Sequence, residues 1–242
     1  MTLGCQIIAH NLIEHDYCIH ECVSSVAPIC DQILIVECDS SDGTQDLLAQ
    51  MSSMEPKIKV IRHPWKPSRT GLEWITSIYS DTKSEIGTDW YIGMDADEII
   101  LPSDYPVIQD HFRSQITAGT EVCGTFIRRT FWKDSKHILP NGTICNHLCH
   151  KLVPKTQTVS GDLIEPPKTL LLKAEIYHYG HIRLNKAWAK KCGKMQDWAF
   201  GKVPECWTEN PSSVVPDGDL IEFHAQHPML AHQWLLDRGY TP

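Results

Sequence analysis

Three acidic residues and one alanine, in the order Asp95-Ala96-Asp97-Glu98, directly follow the apolar run Trp90–Met94. Two carboxylates that are two residues apart in an extended chain point the same way, so both can approach one cation. Hard oxygen ligands of this kind suit Mg²⁺ or Mn²⁺, with substrate phosphates completing the coordination shell. A solvated acidic turn is the alternative. The position of the segment directly after a predicted strand favours the metal site.

A second polar segment, Glu37 to Thr44, follows the apolar run Gln32–Val36. It combines acids, small hydroxyls and a glycine, so it can accept hydrogen bonds from a base or a ribose and remain compact. Helix capping explains its hydroxyls and Asp42, but it does not explain Glu37. This pattern indicates a turn that binds a nucleoside through its base or ribose.

The elements that position both segments alternate between apolar runs and amphipathic stretches. Strands are predicted at 5–10, 32–36, 57–61 and 90–94, and helices at 16–26, 44–51 and 70–81. This order implies right-handed crossovers and a mainly parallel sheet. In such a sheet ligands bind beyond the carboxyl ends of the strands, which is where both polar segments lie.

The second half of the chain is less regular, and we interpret it as a continuation of the same domain. Strands are predicted at 124–128, 170–173 and 175–179, helices at 184–200 and 228–238, and a loop or lid at 203–219. A further strand, with alternating His and Cys faces, is favoured for Cys145–His150. Zinc binding by that segment is less favoured, because one short stretch does not easily wrap four ligands around the ion.

Composition excludes several classes of protein. The 242 residues include 42% apolar residues, too many for a disordered chain. No apolar run is long enough to span a membrane, and the first residues do not match a signal peptide, so we expect a cytoplasmic protein of phage or bacterial origin. The ten cysteines are then expected to be reduced and mostly buried.

The net charge of −8 argues against a broad nucleic-acid surface. It leaves open a local basic channel around Arg128-Arg129, Lys133 and Lys136, although a solvated turn is the simpler interpretation.

As a set, His10-Asn11, Glu37–Thr44, Arg69 and Asp89–Glu98 resemble the nucleotide-sugar half of family 2 glycosyltransferases of the GT-A fold. That family carries Val-Asp-x-Gly-Ser-x-Asp-Gly-Thr after its second strand and Asp-Trp-x-x-x-x-Asp-x-Asp-Glu later. Here Glu37 replaces an Asp, and His10 an Arg or Tyr. The resemblance implies a Rossmann-like α/β/α three-layer sandwich with a mainly parallel central sheet. It implies a single domain, with a nucleotide-sugar half at 1–115 and an acceptor half at 116–242.

The resemblance also implies roles for individual residues. The nucleotide-sugar contacts would be His10, Asn11, Glu37, Asp39, Arg69, Asp95, Ala96 and Arg183, with Glu37 and Asp39 at the base and Asp95 at the ribose. Asp97 and a late histidine, His178, would hold the metal. Glu165 is the favoured general base on the acceptor and Asp162 the second candidate, while His181 and Arg183 could face the diphosphate.

The implied activity is a metal-dependent transfer, with Mn²⁺ or Mg²⁺, of a sugar from a nucleotide-diphosphate sugar to an acceptor hydroxyl. The resemblance favours a UDP-sugar and inversion at the anomeric carbon. Gln196-Asp197-Trp198 does not match the Gln-x-x-Arg-Trp of processive synthases, so a single transfer is expected.

Two alternatives stay open, a nucleotidyltransferase and a non-catalytic module that binds nucleotides or glycans. The acceptor is not identified by the sequence, because acceptor loops vary most on a given fold. A saccharide, a lipid-linked glycan, a protein and a modified nucleic-acid base all stay open, with a glycan favoured over a nucleic acid.

Overall fold

The structure is a computed structural model, and it describes residues 2–66, 71–141, 148–159, 168–183, 187 and 217–242. The strands are β1 Leu3–Ala9, β2 Gln32–Glu37, β3 Ile58–Arg62, β4 Trp90–Asp95, β5 Glu98–Ile100, β6 Cys123–Trp132, β7 His137–Ile138, β8 Leu148–Pro154, β9 Thr169–His181 and β10 Ile221–Glu222. The α-helices are α1 Ile19–Val26, α2 Thr44–Met54, α3 Gly71–Thr82, α4 Tyr105–Ala118 and, near the end of the chain, α5 Met229–Leu236.

The predicted mainly parallel sheet is confirmed. Its strands lie in the order β10-β7-β6-β8-β4-β1-β2-β3, and β9 pairs with both β5 and β6. The pairs β1–β2, β2–β3, β1–β4 and β6–β9 are parallel. Strand β8 is antiparallel to both of its neighbours, β4 and β6, so it joins the two halves of the chain inside one sheet.

Helices cover both faces of the sheet, as the three-layer prediction requires. The side chains of β2 alternate, so that Ile33 and Ile35 pack in one core cluster with residues of α1, α2 and α4. Leu34 and Val36 pack on the opposite face with Trp74 and other residues of α3. A strand that is buried on both faces must be apolar throughout, which explains the continuous apolar run of β2.

The first half matches the predicted elements, with one displaced boundary. Helix α1 begins at Ile19, later than predicted, because residues 11–18 form a loop between β1 and α1. In this loop Asn11 has a φ of 48° and Asp16 a φ of 54°. Asn and Asp are the residues that tolerate this left-handed conformation best after glycine.

The second half differs from the predicted elements at two points. The strands predicted at 170–173 and 175–179 are one strand, β9, because burial continues to alternate through Leu172, Lys173 and Ala174 without a turn. Helix α4 was not predicted, although Pro106 in its first turn and the buried Ile108 and Phe112 form a helical signal. The helix predicted at 184–200 and most of the loop at 203–219 lie outside the described residues.

The cysteines in the described part of the chain are buried: Cys5, Cys18, Cys22, Cys30, Cys38, Cys123 and Cys149. Burial raises the pKa of the Cys5, Cys18 and Cys22 thiols well above the ordinary value. They therefore act as small apolar core residues, as predicted. In the described part of the chain, no helix is both long enough and apolar enough to cross a bilayer.

Because β8 links both halves of the sheet, we expect Leu152→Ala to destabilise the whole domain. Leu152 is fully buried and lies opposite Ile92 of β4 and Gly124 of β6. The expected loss in the free energy of unfolding is about 2–5 kcal/mol, measured by urea denaturation. Far-UV and near-UV circular dichroism should report one coincident transition.

The control is Leu171→Ala on β9, where the side chain is 52% exposed and the expected change is within about 0.5 kcal/mol. Two separate transitions in either variant would contradict a single cooperative domain.

Candidate functional site

The carboxyl ends of β1, β2 and β4 meet at one edge of the sheet, and the predicted polar segments lie there. Strand β4 ends at Asp95, and β5 begins at Glu98, so the acidic segment is the tight connection between two strands. Ala96 is buried in this connection. The parallel register places Ile8 of β1 beside Asp95 and Ala9 beside Glu37. The two polar segments therefore lie on either side of the end of β1, at the edge of the sheet where the sequence predicted them.

Glu98 is a fully buried carboxylate that anchors the acidic connection. Its Oε1 accepts a hydrogen bond from Arg128 Nη2 at 2.6 Å, and its Oε2 accepts one from Lys151 Nζ at 2.6 Å. The backbone amide of Asp95 also donates to Glu98 Oε2, at 2.8 Å. Arg128 lies on β6 and Lys151 on β8. Both cations are therefore used internally, which removes Arg128 from the basic channel considered above.

Asp95 lies above this buried network and keeps contact with solvent. Its Oδ2 is 3.3 Å from both Arg128 Nη2 and Lys151 Nζ, while its side chain is 45% exposed. The two cations fix the carboxylate at the rim of the site, with one side open to a ligand.

Asp97 and His178 face each other across the β5–β9 pairing. Asp97 Oδ1 lies 3.4 Å from His178 Nε2, and both residues are buried. The other ring nitrogen of His178, Nδ1, hydrogen-bonds to the Thr130 hydroxyl at 3.2 Å. The amide of Tyr179 donates to the backbone carbonyl of Asp97 at 2.9 Å. The imidazole is thus held with Nε2 directed at the Asp97 carboxylate.

Gly180 leaves the space that this pair occupies. A Cβ at this position would lie 2.4 Å from His178 Nε2 and 3.1 Å from Asp97 Oδ2. Any side chain here would collide with the imidazole. The glycine two residues after His178 is therefore required to leave room for the imidazole.

Arg183 is buried against the second oxygen of Asp97. Its Nη2 bonds to Asp97 Oδ2, its Nη1 to the carbonyl of His15, and its Nε to the carbonyl of Gly180 at 2.9 Å. The guanidinium also lies over the Tyr17 ring, 4.1 Å from the centroid. The resemblance implied that Arg183 could face the diphosphate, but here its side chain is 0% exposed and supports Asp97. His181 packs against Trp132, with ring centroids 4.5 Å apart.

The residues around Asp97 and His178 fit a divalent cation. Two neighbouring ligands of one octahedral ion lie about 3 Å apart, close to the Oδ1 to Nε2 distance in this pair. Arg183 and Thr130 hold the remaining atoms of the two side chains, as partners of metal ligands commonly do. Among the described residues, no group of three or more His, Cys, Asp or Glu could hold a metal ion.

The β1–α1 loop is joined to the β2–α2 turn by hydrogen bonds. The amide of Asn11 donates to Ser40 Oγ, and Asn11 Oδ1 accepts from the Ser41 amide, both at 2.9 Å. Although burial alone raises the pKa of Asp42, hydrogen bonds from the Glu14 amide and from Thr44 outweigh it and lower that pKa. Asn11 and Asp42 therefore hold two loops together.

Glu37 is the buried acid of the β2–α2 turn, with a residue exposure of 2%. Its Oε1 accepts a hydrogen bond from the Ser40 amide at 2.6 Å. Its Oε2 is buried and has no hydrogen-bond partner. An unsatisfied buried carboxylate oxygen costs free energy, so this oxygen could accept a hydrogen bond from a ligand.

Two aromatic rings lie over the end of β2. His10 and Trp65 are stacked, with centroids 3.9 Å apart and planes within 3°. The amide of Trp65 donates to Asp39 Oδ2 at 2.9 Å. Sequence reasoning missed Trp65, although a tryptophan in the short polar stretch after β3 was an available signal.

Several predicted site residues lie outside the described part of the chain: Arg69, Asp162 and Glu165. Of the Cys145–His150 segment, Leu148 to His150 begin β8, with Cys149 buried and His150 hydrogen-bonded to Thr125. These residues fit the alternating strand that was favoured.

The fold defines an α/β protein whose predicted polar segments gather at the carboxyl ends of its parallel strands. No family model and no curated protein matches the chain. Among solved structures, S. aureus TarS shares 10% identity over 81% of this chain and 39% of that chain, with a TM-score of 0.49. This chain thus spans about two fifths of that TarS chain.

S. aureus TarS 1-349 in complex with UDP shares 12% identity over 64% of this chain and 47% of that chain, with a TM-score of 0.44. A Bacillus anthracis protein, assigned as a glucose-1-phosphate thymidylyltransferase and crystallised with sucrose, shares 11% identity over 74% of this chain and 90% of that chain, with a TM-score of 0.42. At such values these likenesses establish no activity for this chain.

We expect the Glu98 network to be necessary for stability. Glu98→Ala leaves Arg128 and Lys151 buried without their carboxylate, so the free energy of unfolding should fall by about 3–5 kcal/mol in urea denaturation. Glu85→Gln removes an exposed salt bridge with Lys59 and should leave the midpoint of urea denaturation unchanged. Equal effects of the two substitutions would contradict the anchoring role.

Proposed function

We propose that this chain is a metal-dependent glycosyltransferase that moves a sugar from a nucleotide-diphosphate sugar, a UDP-sugar, to an acceptor hydroxyl. The transfer is proposed to invert the anomeric carbon and to occur once per acceptor. The observation that carries the proposal is the buried Asp97–His178 pair at the carboxyl edge of the sheet, and the unsatisfied Glu37 Oε2 at the end of β2 supports it.

The charge balance at this edge supports a role for a cation. The three carboxylates Asp95, Asp97 and Glu98 are matched by three cations, Arg128, Lys151 and Arg183. These groups together have no surplus positive charge to offer a diphosphate. A bound Mn²⁺ or Mg²⁺, held by Asp97 and His178, would supply that charge as a Lewis acid.

The protein groups divide the remaining tasks. Glu37 Oε2 accepts a hydrogen bond from the base, and the exposed side of Asp95 accepts one from a ribose hydroxyl. A carboxylate takes the proton of the acceptor hydroxyl while the oxygen of that hydroxyl bonds to the anomeric carbon. The bond from the anomeric carbon to the diphosphate breaks in the same step. Glu165, and after it Asp162, remain the sequence-based candidates for this base.

The metal and donor sites are tested by isothermal titration calorimetry with Mn²⁺ and UDP. We expect the wild type to bind both, Asp97→Ala to lose Mn²⁺ binding, and Gly180→Ala to weaken it by about 10-fold or more as His178 is displaced. Gly218→Ala is the matched control, because its Cβ would enter open space.

Circular dichroism verifies that each variant is folded. Failure of the wild type to bind UDP and Mn²⁺, or unchanged Mn²⁺ binding by a folded Asp97→Ala, would overturn the site assignment.

The base preference is tested by Glu37→Gln. The Ser40 amide needs an acceptor, so the new amide should keep its oxygen there and present its NH₂ group in place of Oε2. UDP, whose base offers N3–H, should bind about 10-fold or more weakly, while CDP, whose base offers a bare N3, should bind better. Glu73→Gln, an exposed site on α3, should change neither affinity. A parallel loss for both nucleotides would contradict this role of Glu37.

Mass spectrometry distinguishes the alternatives. A transferase that acts on donor sugars adds a sugar mass to glycan or DNA fractions. A nucleotidyltransferase instead forms a nucleotide sugar from a nucleoside triphosphate and a sugar phosphate. A binding module does neither.

A further inference from the structure

We propose that Arg238 and Asp16 are remote positioning residues of the Asp97–His178 pair. Their ion pair fixes residues 15–17 of the β1–α1 loop, and this part of the loop holds the Arg183 guanidinium on Asp97. The inference rests on the proposed function and extends the metal site as far as the residues that follow α5.

Three consecutive loop residues join the two arginines. The carbonyl of His15 accepts a hydrogen bond from Arg183 Nη1, and the Arg183 guanidinium carbon lies 4.1 Å from the centroid of the Tyr17 ring. Between these two residues, the Asp16 carboxylate accepts hydrogen bonds from Arg238 Nε, at 2.8 Å, and from Arg238 Nη2. The surroundings of Arg183 therefore include a loop that Arg238 holds.

The backbone at Asp16 makes this loop sensitive to Arg238. Asp16 has a φ of 54°, in the left-handed region. A residue other than glycine keeps this conformation only where its surroundings hold it there, and the two hydrogen bonds from Arg238 are such a contact. Without them we expect residues 15–17 to relax, which displaces the His15 carbonyl and the Tyr17 ring from Arg183.

Arg238 is anchored to the core beside the metal pair. Its Nη1 donates to the Trp234 carbonyl at 2.7 Å, and its guanidinium lies 4.0 Å from the centroid of the Trp234 ring. Trp234 packs against Tyr179, with ring centroids 5.8 Å apart, and the Tyr179 amide donates to the Asp97 carbonyl. The side chains of Arg238 and Asp16 are only 15% and 12% exposed, so solvent screens their attraction weakly.

A metal ligand binds well when its carboxylate is already oriented. Partners that orient a ligand commonly change metal affinity by about 10- to 100-fold, and Arg183 is such a partner of Asp97. Arg238 and Asp16 act through Arg183, so their effect should be smaller. Residues that act through intermediate contacts change affinity by about 2- to 30-fold.

The variants Asp16→Asn and Arg238→Gln test the proposal, with Mn²⁺ affinity measured by calorimetry. Asparagine also tolerates a left-handed φ, so Asp16→Asn removes the charge without requiring a new backbone conformation. Each variant should weaken Mn²⁺ binding by about 2- to 30-fold. The double variant should bind within about 2-fold of the weaker single variant, because both substitutions remove the same contact.

The direction of the changes separates positioning from a through-space effect of charge. Asp16→Asn removes a negative charge and Arg238→Gln a positive one, so charge alone would change the Mn²⁺ affinity in opposite directions. Arg238→Lys keeps the charge without the fork of two N–H donors, and its affinity should lie between those of wild type and Arg238→Gln. Opposite directions, or additive losses in the double variant, would overturn the positioning role.

Hydrogen exchange reports on the loop without any metal. The Tyr17 amide donates to the Leu12 carbonyl at 2.9 Å, and it should exchange faster in Arg238→Gln than in wild type. Lys59→Gln, which breaks an exposed ion pair with Glu85 near the start of β3, is the control and should change neither this exchange rate nor the Mn²⁺ affinity. An unchanged exchange rate in Arg238→Gln would contradict the fixing of the loop by Arg238.

Wild-type protein that does not bind Mn²⁺ would overturn the proposed function and this inference with it. Wild type that binds Mn²⁺, together with an Arg238→Gln variant that is folded by circular dichroism and has equal affinity, would overturn this inference alone.

Discussion

The buried carboxylate of Glu98 is the constraint on which the arrangement of this edge depends. It accepts hydrogen bonds from Arg128, from Lys151 and from the Asp95 backbone, so it joins the β4–β5 connection to β6 and β8. A buried ion cluster is stable only while all of its members are present. Asp95 and Asp97 are consequently held between two parts of the sheet that are distant in sequence.

The site residues share one principle, in which one polar atom is anchored and another is directed at the ligand position. Glu37 uses Oε1 for the Ser40 amide, His178 uses Nδ1 for Thr130, and Asp97 uses Oδ2 for Arg183. The directed atoms are then set by the protein and not by the ligand. Such pre-organisation is what a site needs if binding energy is to be spent on a transferred group.

Local patterns predicted much of this structure. The strands β1 to β4 are apolar runs that lie between recognisable turns, and the order of the elements determined the sheet direction. Asp97 and His178 were paired on the family resemblance, and the structure brings their side chains within 3.4 Å of each other. Arg128 and Lys151 could not be assigned, since they lie 30 and 53 residues from Glu98 and only the sheet brings them together. The hydrogen bond from the Trp65 amide to Asp39 could not be predicted for the same reason, because the two residues are 26 positions apart.

The β1–α1 loop is clamped by residues that follow much later in the chain. Arg183 bonds to His15, 168 residues earlier, and Arg238 pairs with Asp16, 222 residues earlier. During synthesis on the ribosome this loop emerges early, whereas Arg183 and Arg238 emerge late. Contacts between such distant residues form slowly, because a long loop must first close. The β1–α1 loop of the nascent chain should therefore lack its final contacts until Arg238 has been synthesised.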